Sequence, residues 1–377
     1  MQDQLSQSQL VSTLPGSYYY APEIYARELE RIFGQMWVCV ERAEQLKQAG
    51  DYITVDVGAE NLIIVRGRDQ QLRAFYNACR HRGARVCVDA CGNAKALTCK
   101  YHAWTYGLDG RLQGAPNIAS FGTFPREEFG LLPVALEVWE GLIWVNLADS
   151  PPPLAAQLHP PLLDRFGDLE QFARYGIGGL TLGKRIAYDV QSNWKLVVEN
   201  FMECYHCAPM HPELCELLPA FYNGTSYQGI VGVGTAFADD VEQFSMSGKG
   251  NRPRLSGLRD DDDRTYFGLT LAPNVLVSLL PDHVIIHTAH PRGPAQTYVT
   301  CDWLFEPGVV AAADFDPSDT VQIFDLVNRQ DWEVCELTQG GVRSKAFAKG
   351  GVYVPSEHHI LQFNNLVRER LGVPVAE

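Results

Sequence analysis

Two groups of residues in this chain have types and spacings suited to metal chemistry. The first is Cys79-Arg80-His81 and Cys99-Lys100-Tyr101-His102, separated by 17 residues. Two thiolates and two imidazoles complete the ligand set of either a zinc ion or a mixed-ligand [2Fe–2S] cluster. The C-x-H spacing suits two short loops that each give one Cys and one His to a two-iron centre. Paired ligands of a zinc finger usually lie about two to five residues apart. The neighbouring sequence reads as β-strand and contains no finger helix, which also favours the cluster. A zinc-stabilised binding module stays as the alternative.

The second group lies between Asn193 and Pro212. His206 and His211 are five residues apart, which on a straight helix separates them by about 140°. They converge only if the chain turns. Pro209 disfavours helix at Ala208 and removes a backbone donor, so the turn is expected there, with Pro212 as a further stop. Two histidines and one carboxylate with open positions make the facial triad of non-haem iron(II) oxygenases. The carboxylate has to come from another element. On a long helix over 319–339, Asp331 falls within about 60° of Phe324, Val327, Val334, Cys335 and Thr338. Asp325, Glu333 and Glu336 fall about 120–160° away on the other side. A carboxylate in an apolar stripe needs a partner, which is a metal, a salt bridge or a cap.

The elements that must position these residues follow from local patterning. An amphipathic helix is expected over about 21–36. Short strands are expected at Tyr52–Val57, Asn61–Arg66 and Leu72–Ala78, with a hairpin over Leu136–Leu147 turning at Glu140-Gly141. Asp149-Ser150-Pro151-Pro152-Pro153 reads as a stiff linker. Beyond it come a strand at Arg185–Val190, a helical run from Asn193 to about Cys207, and strands at Asn274–Leu280, Val284–Ala289 and Tyr298–Phe305. The late helix is expected to stop at Gly340-Gly341. Strands and helices without regular alternation imply an α+β fold with antiparallel sheet. Gly232-Val233-Gly234 lacks the setting of a nucleotide site and reads as a turn.

Composition narrows the partners. Apolar residues make up 46% and charged residues 20%, and the net charge is −14. A phosphate backbone needs a Lys/Arg surface, so nucleic acid is excluded as a partner. No apolar stretch reaches the length of a membrane span, and the first fifteen residues, Met1 to Pro15, do not read as a secretory signal. A cytoplasmic location is expected, in which the ten cysteines stay reduced and serve metal or redox chemistry rather than disulfides.

Cys79-Arg80-His81-Arg82-Gly83, Cys99 to Tyr106, Asn193 to Pro212 and Asp331 to Gly341 together resemble the Rieske non-haem iron oxygenases, over about residues 20–370. The resemblance implies a leading segment 1–45 packed on the catalytic domain and a β-rich Rieske domain over 46–150. It also implies a catalytic domain over 151–377, with a curved antiparallel sheet covered by helices in a helix-grip, START-like arrangement. It implies Cys79, His81, Cys99 and His102 as ligands of a [2Fe–2S] cluster, and His206, His211 and Asp331 as ligands of a mononuclear Fe(II). Glu203 stands where the family places an acid bridging a cluster histidine of one subunit to an iron-ligand histidine of the next. Asn200 is expected to help hold the site. Respiratory Rieske proteins join two extra cysteines in a disulfide; nothing matching follows His102, so Cys87 and Cys91 read as packed thiols.

Glu at position 203, the flanking Cys204-Tyr205-His206-Cys207 and the His211-Pro212 pair are similar to the branch acting on quaternary amines. This implies an oxygenase component that uses O2 to hydroxylate a small betaine- or carnitine-like substrate. The chain has no flavin or nicotinamide motif, so electrons are expected from a separate NAD(P)H-dependent flavin/iron–sulfur reductase. The family implies a homotrimer. Phe237, Tyr266, Phe267 and Trp332 are aromatic candidates for holding the cation, each also readable as core. His283, His287, His290, His358 and His359 read as ordinary polar or core residues. The competing readings are a ring-hydroxylating oxygenase acting on an aromatic acid and a non-catalytic Rieske electron carrier.

Overall fold

The computed structural model describes residues 10–224 and 230–374; residues 1–9 of the expected leading segment lie outside them. The chain divides into two compact units, Leu29–Leu154 and Met1–Glu28 together with Ala155–Glu377.

The first unit is β-rich, as its short period-2 runs predict. Its strands are β1 (Val38–Arg42), β2 (Asp51–Val57), β3 (Glu60–Arg66), β4 (Leu72–Tyr76), β5 (Cys91–Asn93), β6 (Leu97–Thr98), β7 (Thr105–Tyr106), β8 (Leu112–Gly114), β9 (Pro133–Trp139) and β10 (Leu142–Asn146). One sheet runs β1-β10-β9-β4-β3-β2-β5, and a small one runs β6-β7-β8. The β9–β10 hairpin turns on Glu140 and Gly141, both left-handed at φ 49° and 71°, as a two-residue turn matching strand twist requires. The boundary expected at residue 45 moves to Leu29, because β1 is paired with β10 inside this sheet.

The second unit begins with α1 (Pro22–Glu28). It continues with α2 (Ala155–Phe166), α3 (Glu170–Ala173), α4 (Trp194–Phe201), α5 (Cys207–Met210), α6 (Pro212–Leu217), α7 (Pro307–Val310), α8 (Ser318–Gly341) and α9 (His358–Arg370). The sheet order is β11 (Thr181–Val190), β16 (Gln296–Phe305), β15 (Val284–Gly293), β14 (Val275–Leu279), β13 (Thr265–Leu271) and β12 (Thr235–Ala236). Every pairing in it is antiparallel. Arg185 and Asp302 face each other across β11 and β16 and pair through two bonds of 2.6 and 2.7 Å.

The core that matters for chemistry lies between this sheet and α4 and α8. Ile285 and Ala289 of β15 and Val299, Cys301 and Trp303 of β16 pack with Val197 of α4 and with Ile323, Phe324, Val327 and Cys335 of α8. The run expected from Asn193 to about Cys207 breaks after Phe201, while α8 ends at Gly341, at the Gly340-Gly341 stop expected for it. Neither glycine adopts positive φ, and Gln339 anchors the last turn by accepting from Asn193 N–H and donating to Tyr19 O. No helix among the described residues is long and apolar enough to cross a membrane.

Candidate metal centres

The two Cys/His loops of the first unit are one turn built twice. Cys79 N–H donates to Ala84 O and Gly83 N–H to Cys79 O, both at 2.8 Å. Cys99 N–H donates to Trp104 O at 2.9 Å and Ala103 N–H to Cys99 O at 3.0 Å. The fourth residue after each cysteine is left-handed, Gly83 at φ 75° and Ala103 at φ 56°. This turn buries both thiols and leaves both imidazoles exposed. The rings of His81 and His102 lie 4.6 Å apart between centroids, and His81 stacks on Trp104. The donor set is thus segregated, thiols inward and imidazoles outward, as a two-iron cluster with Cys₂ on one iron and His₂ on the other requires. Slight desolvation of the exposed ring, then neighbouring His81 and Arg82, hold His102 below its ordinary value, which favours the neutral imidazole a metal needs.

Tyr106 was not singled out by its chemistry in the sequence, yet it touches this centre. Its oxygen accepts Arg80 N–H at 3.0 Å and lies 3.2 Å from Cys79 Sγ. A thiolate at Cys79 holding a metal would only accept, so the phenol would donate to it; burial followed by the thiol raises the Tyr106 pKa, which keeps that proton on the phenol. Cys87 is a buried free thiol as expected, whereas Cys91 is exposed.

The second centre is carried by α4, α5, α6 and α8. Asn193 caps α4, its side chain accepting Lys195 N–H. Lys195 is fully buried and paired with Glu28 at 2.6 Å, which ties α1 to α4. The chain leaves α4 at Met202, and the Glu203 carboxylate accepts the N–H groups of Tyr205 and His206. His206 therefore sits just before α5. His211 lies between α5 and α6 with φ −129° and ψ 60°, and Pro212 opens α6. The turns thus fall at 202–206 and at His211, not at Ala208-Pro209. Pro209 lies inside the four-residue α5, in the first turn, where its missing N–H costs nothing.

α8 is docked on α4 by Ser192 Oγ donating to Cys335 O and by the Gln339 contacts. This brings Asp331 to the two histidines. Asp331 Oδ1 lies 2.9 Å from His211 Nε2 and 3.2 Å from His206 Nε2. One ligand atom from each of the three lies within 4.8 Å of the others. Adjacent ligands on a metal with bonds near 2.1 Å and right angles lie about 3 Å apart, so the donor set fits a facially bound ion. The Nδ1 atoms fix which nitrogens face it: His206 Nδ1 is 2.5 Å from Glu203 Oε1, and His211 Nδ1 is 2.7 Å from Gln330 Oε1. Both carbonyl-type oxygens accept, so both histidines carry the proton on Nδ1 and present Nε2 lone pairs. Burial alone pushes His206 down and Asp331 up; their mutual attraction, with Glu203 and His211, reverses both directions.

Asn200 Nδ2 lies 3.4 Å from His206 Nε2, at the edge of the site. Gln330 gave no signal in the sequence beyond standing next to Asp331. Of the aromatic candidates, Phe237, Tyr266 and Trp332 belong to the core around this centre. Phe267 alternates to the other face of β13 and packs on Phe166, Tyr175 and Arg165. The expectation of uniformly reduced cysteines also fails, since Cys204 and Cys207 form a disulfide across the turn that carries His206.

Such a triad, on helices packed against an antiparallel sheet and joined in one chain to a two-loop Cys/His centre, defines a Rieske non-haem iron oxygenase. The family of ring hydroxylating alpha subunits (catalytic domain) matches residues 177–373 and the Rieske [2Fe-2S] domain matches 36–125; the chain belongs to this family, with its cluster and its mononuclear iron. It is similar to the glycine betaine monooxygenase oxygenase subunit of Chromohalobacter salexigens, at 31% identity over 96% of this chain and 86% of the relative. The carnitine monooxygenase oxygenase subunit of Acinetobacter baumannii is 30% identical over 95% of this chain and 94% of its own. The solved quaternary ammonium Rieske monooxygenase CntA in complex with substrate L-carnitine matches 97% of each chain with a TM-score of 0.73 at 26% identity. Matches across both halves set aside the zinc-stabilised module and the cluster-only electron carrier. The protein is the oxygenase subunit of a multicomponent system that needs a reductase and O2.

Proposed function

We propose that this oxygenase hydroxylates a small quaternary ammonium compound of the betaine or carnitine type at a carbon bonded to nitrogen. An N-methyl carbon so hydroxylated becomes a hemiaminal, which collapses to a tertiary amine and formaldehyde. The oxygen comes from O2, whose second atom leaves as water after two electrons and two protons are supplied. The observation that carries this reading is the convergence of His206, His211 and Asp331 with Glu203 behind His206, in a chain whose similar relatives are named for glycine betaine and carnitine.

His206, His211 and Asp331 hold the iron in this reading, and Cys79, His81, Cys99 and His102 hold the cluster. When bound, the iron supplies open positions for O2 activation and the cluster supplies single electrons. The residues around them do the orienting. Glu203 and Gln330 keep the two imidazoles in one tautomer. Asn200 flanks His206 and limits its swing. Glu203 extends the path toward a cluster histidine of a neighbouring subunit, which makes a homotrimer the working assembly. Electrons come from an NAD(P)H-dependent flavin/iron–sulfur reductase, in the cytoplasm where that reductant is made.

Purified holoenzyme with a generic reductase is given betaines, carnitine and aromatic acids, scoring NADH consumption and formaldehyde. Quaternary-amine-dependent consumption is the expected result; turnover confined to aromatic acids overturns the reading.

A further inference from the structure

We infer that His287 is a specificity-determining residue of the substrate site, its Nδ1 a fixed, buried acceptor for a hydroxyl group carried by the substrate. This rests on the quaternary-amine reading and narrows it to hydroxylated members of that class.

His287 shares the face of β15 that carries Ile285 and Ala289, the face packed on α4 and α8. Its ring lies 6.1 Å from Phe201, at the end of α4, and 6.3 Å from Phe324 of α8. Its partner Asn328 stands one helical turn before Asp331, and the Asp331 carboxylate is near enough to act on the imidazole. The side chain is 1% exposed.

The protonation pattern comes from a chain of hydrogen bonds with only one consistent direction. The Asp325 carboxylate accepts, also taking Arg329 Nε–H, so Tyr188 must donate its proton to it at 2.7 Å. Tyr188 Oη then has only lone pairs left, and Asn328 must turn its Nδ2 toward it, at 3.2 Å. That leaves Asn328 Oδ1 facing His287 Nε2 at 3.0 Å, so Nε2 carries the proton. Nδ1 is therefore a lone pair, and it has no hydrogen-bond partner among the described residues. A buried acceptor left unmet is costly, so a site containing one discriminates strongly for a ligand that supplies the donor.

A carboxylate does not meet this need, because it too offers only lone pairs. Binding one would require the imidazolium, and burial holds His287 down to about 4, with Asn328 and Asp331 opposing only in part. An alcohol O–H fits the neutral ring as it stands.

The test uses a pair of quaternary amines differing by one hydroxyl, L-carnitine and γ-butyrobetaine, on the holoenzyme with its reductase. Dissociation constants come from calorimetry and kcat/KM from O2 uptake. The wild type is expected to favour the hydroxylated member at least about tenfold in both. His287→Phe is expected to abolish that preference by weakening the hydroxylated member alone. Asn328→Leu, which frees the imidazole to take either tautomer, is expected to erode the preference without touching His287 and serves if the first variant does not fold. Equal kcat/KM for the two in the wild type, or an equal loss on both in His287→Phe, overturns this inference and leaves the proposed function standing. Failure to bind or oxidise either, with aromatic acids turned over instead, overturns both.

Discussion

Glu203 Oε1 lies 2.5 Å from Nδ1 of His206, and the same carboxylate accepts the N–H groups that start α5. One side chain thus sets both the backbone turn and the tautomer of a proposed ligand. Removing such a carboxylate typically weakens metal binding by about 10–100-fold. Glu203→Ala is expected to lose iron at that scale in a chelator competition. Glu203→Gln retains an oxygen acceptor, so it is expected to keep its iron while turnover falls. Equal iron affinity in wild type and Glu203→Ala would show that His206 is oriented by something else.

Asp331 Oδ1 faces the Nε2 atoms of both His206 and His211. Asp331→Ala is expected to lower iron from about three to about two atoms per chain and to abolish substrate-dependent O2 uptake. The reduced cluster's EPR signal should be unchanged, since the two Cys/His loops proposed to hold it lie in the other unit. Undiminished turnover would remove Asp331 from the site.

The twin cluster turns differ in their left-handed residue, Gly83 in one and Ala103 in the other. A Cβ built on Gly83 meets nothing within 4 Å, so Gly83→Ala carries only the left-handed backbone penalty of about 1–2 kcal/mol. Ala103→Gly is expected to relieve a penalty of that size, partly offset by the extra unfolded-chain entropy of glycine. Thermal unfolding followed with the cluster absorbance should show Gly83→Ala lower and Ala103→Gly equal or higher than wild type. A collapse of cluster loading in Gly83→Ala would mean the loop senses more than φ.

The candidate ligands were legible in the sequence because metal chemistry restricts such residues to few types at tight spacing. Asp331 was legible for a second reason: it is a carboxylate on the stripe of Phe324, Val327 and Cys335, all buried. Its orienting neighbours were not. Gln330 reaches His211 only because α8 is docked on α4 in one rotation, and no periodicity specifies that angle. Pro209 misled for a related reason. Proline stops a helix in its interior but is tolerated in its first turn, and the start of α5 depends on Glu203, a side-chain contact invisible to patterning. Likewise β1 read as part of a leading segment because its pairing with β10 is non-local.

The Cys204–Cys207 bridge encloses His206 in a very short loop. Closing so few residues restrains the unfolded chain by only about 2 kcal/mol, so its main effect is local, on the segment between α4 and α5. Alkylation before reduction, followed by mass spectrometry, should leave Cys204 and Cys207 unlabelled while Cys91 is modified. Cys204→Ser with Cys207→Ser is expected to lower the midpoint of unfolding modestly and to weaken iron retention more than stability. Complete labelling of both residues in protein kept under air would show the thiols are free.

Glu199 is a carboxyl buried with Tyr19, whose hydroxyl donates to both of its oxygens at 3.0 and 3.1 Å. Burial lifts it from 4.5 to about 8, with Lys195 and Tyr19 opposing in part. The folded protein therefore binds this proton more tightly than the unfolded chain does. Between about pH 4.5 and 8 the folded state holds the proton that the unfolded state has released, so stability falls as pH rises through that window and levels off above it. The full loss is on the order of 5 kcal/mol. Glu199→Gln keeps an oxygen for Tyr19 and has no proton to lose. Its melting temperature relative to wild type is expected to climb steadily from pH 6 to pH 8.5. Parallel curves for the two proteins would mean that Glu199 is ionised in the fold throughout, balanced by Lys195.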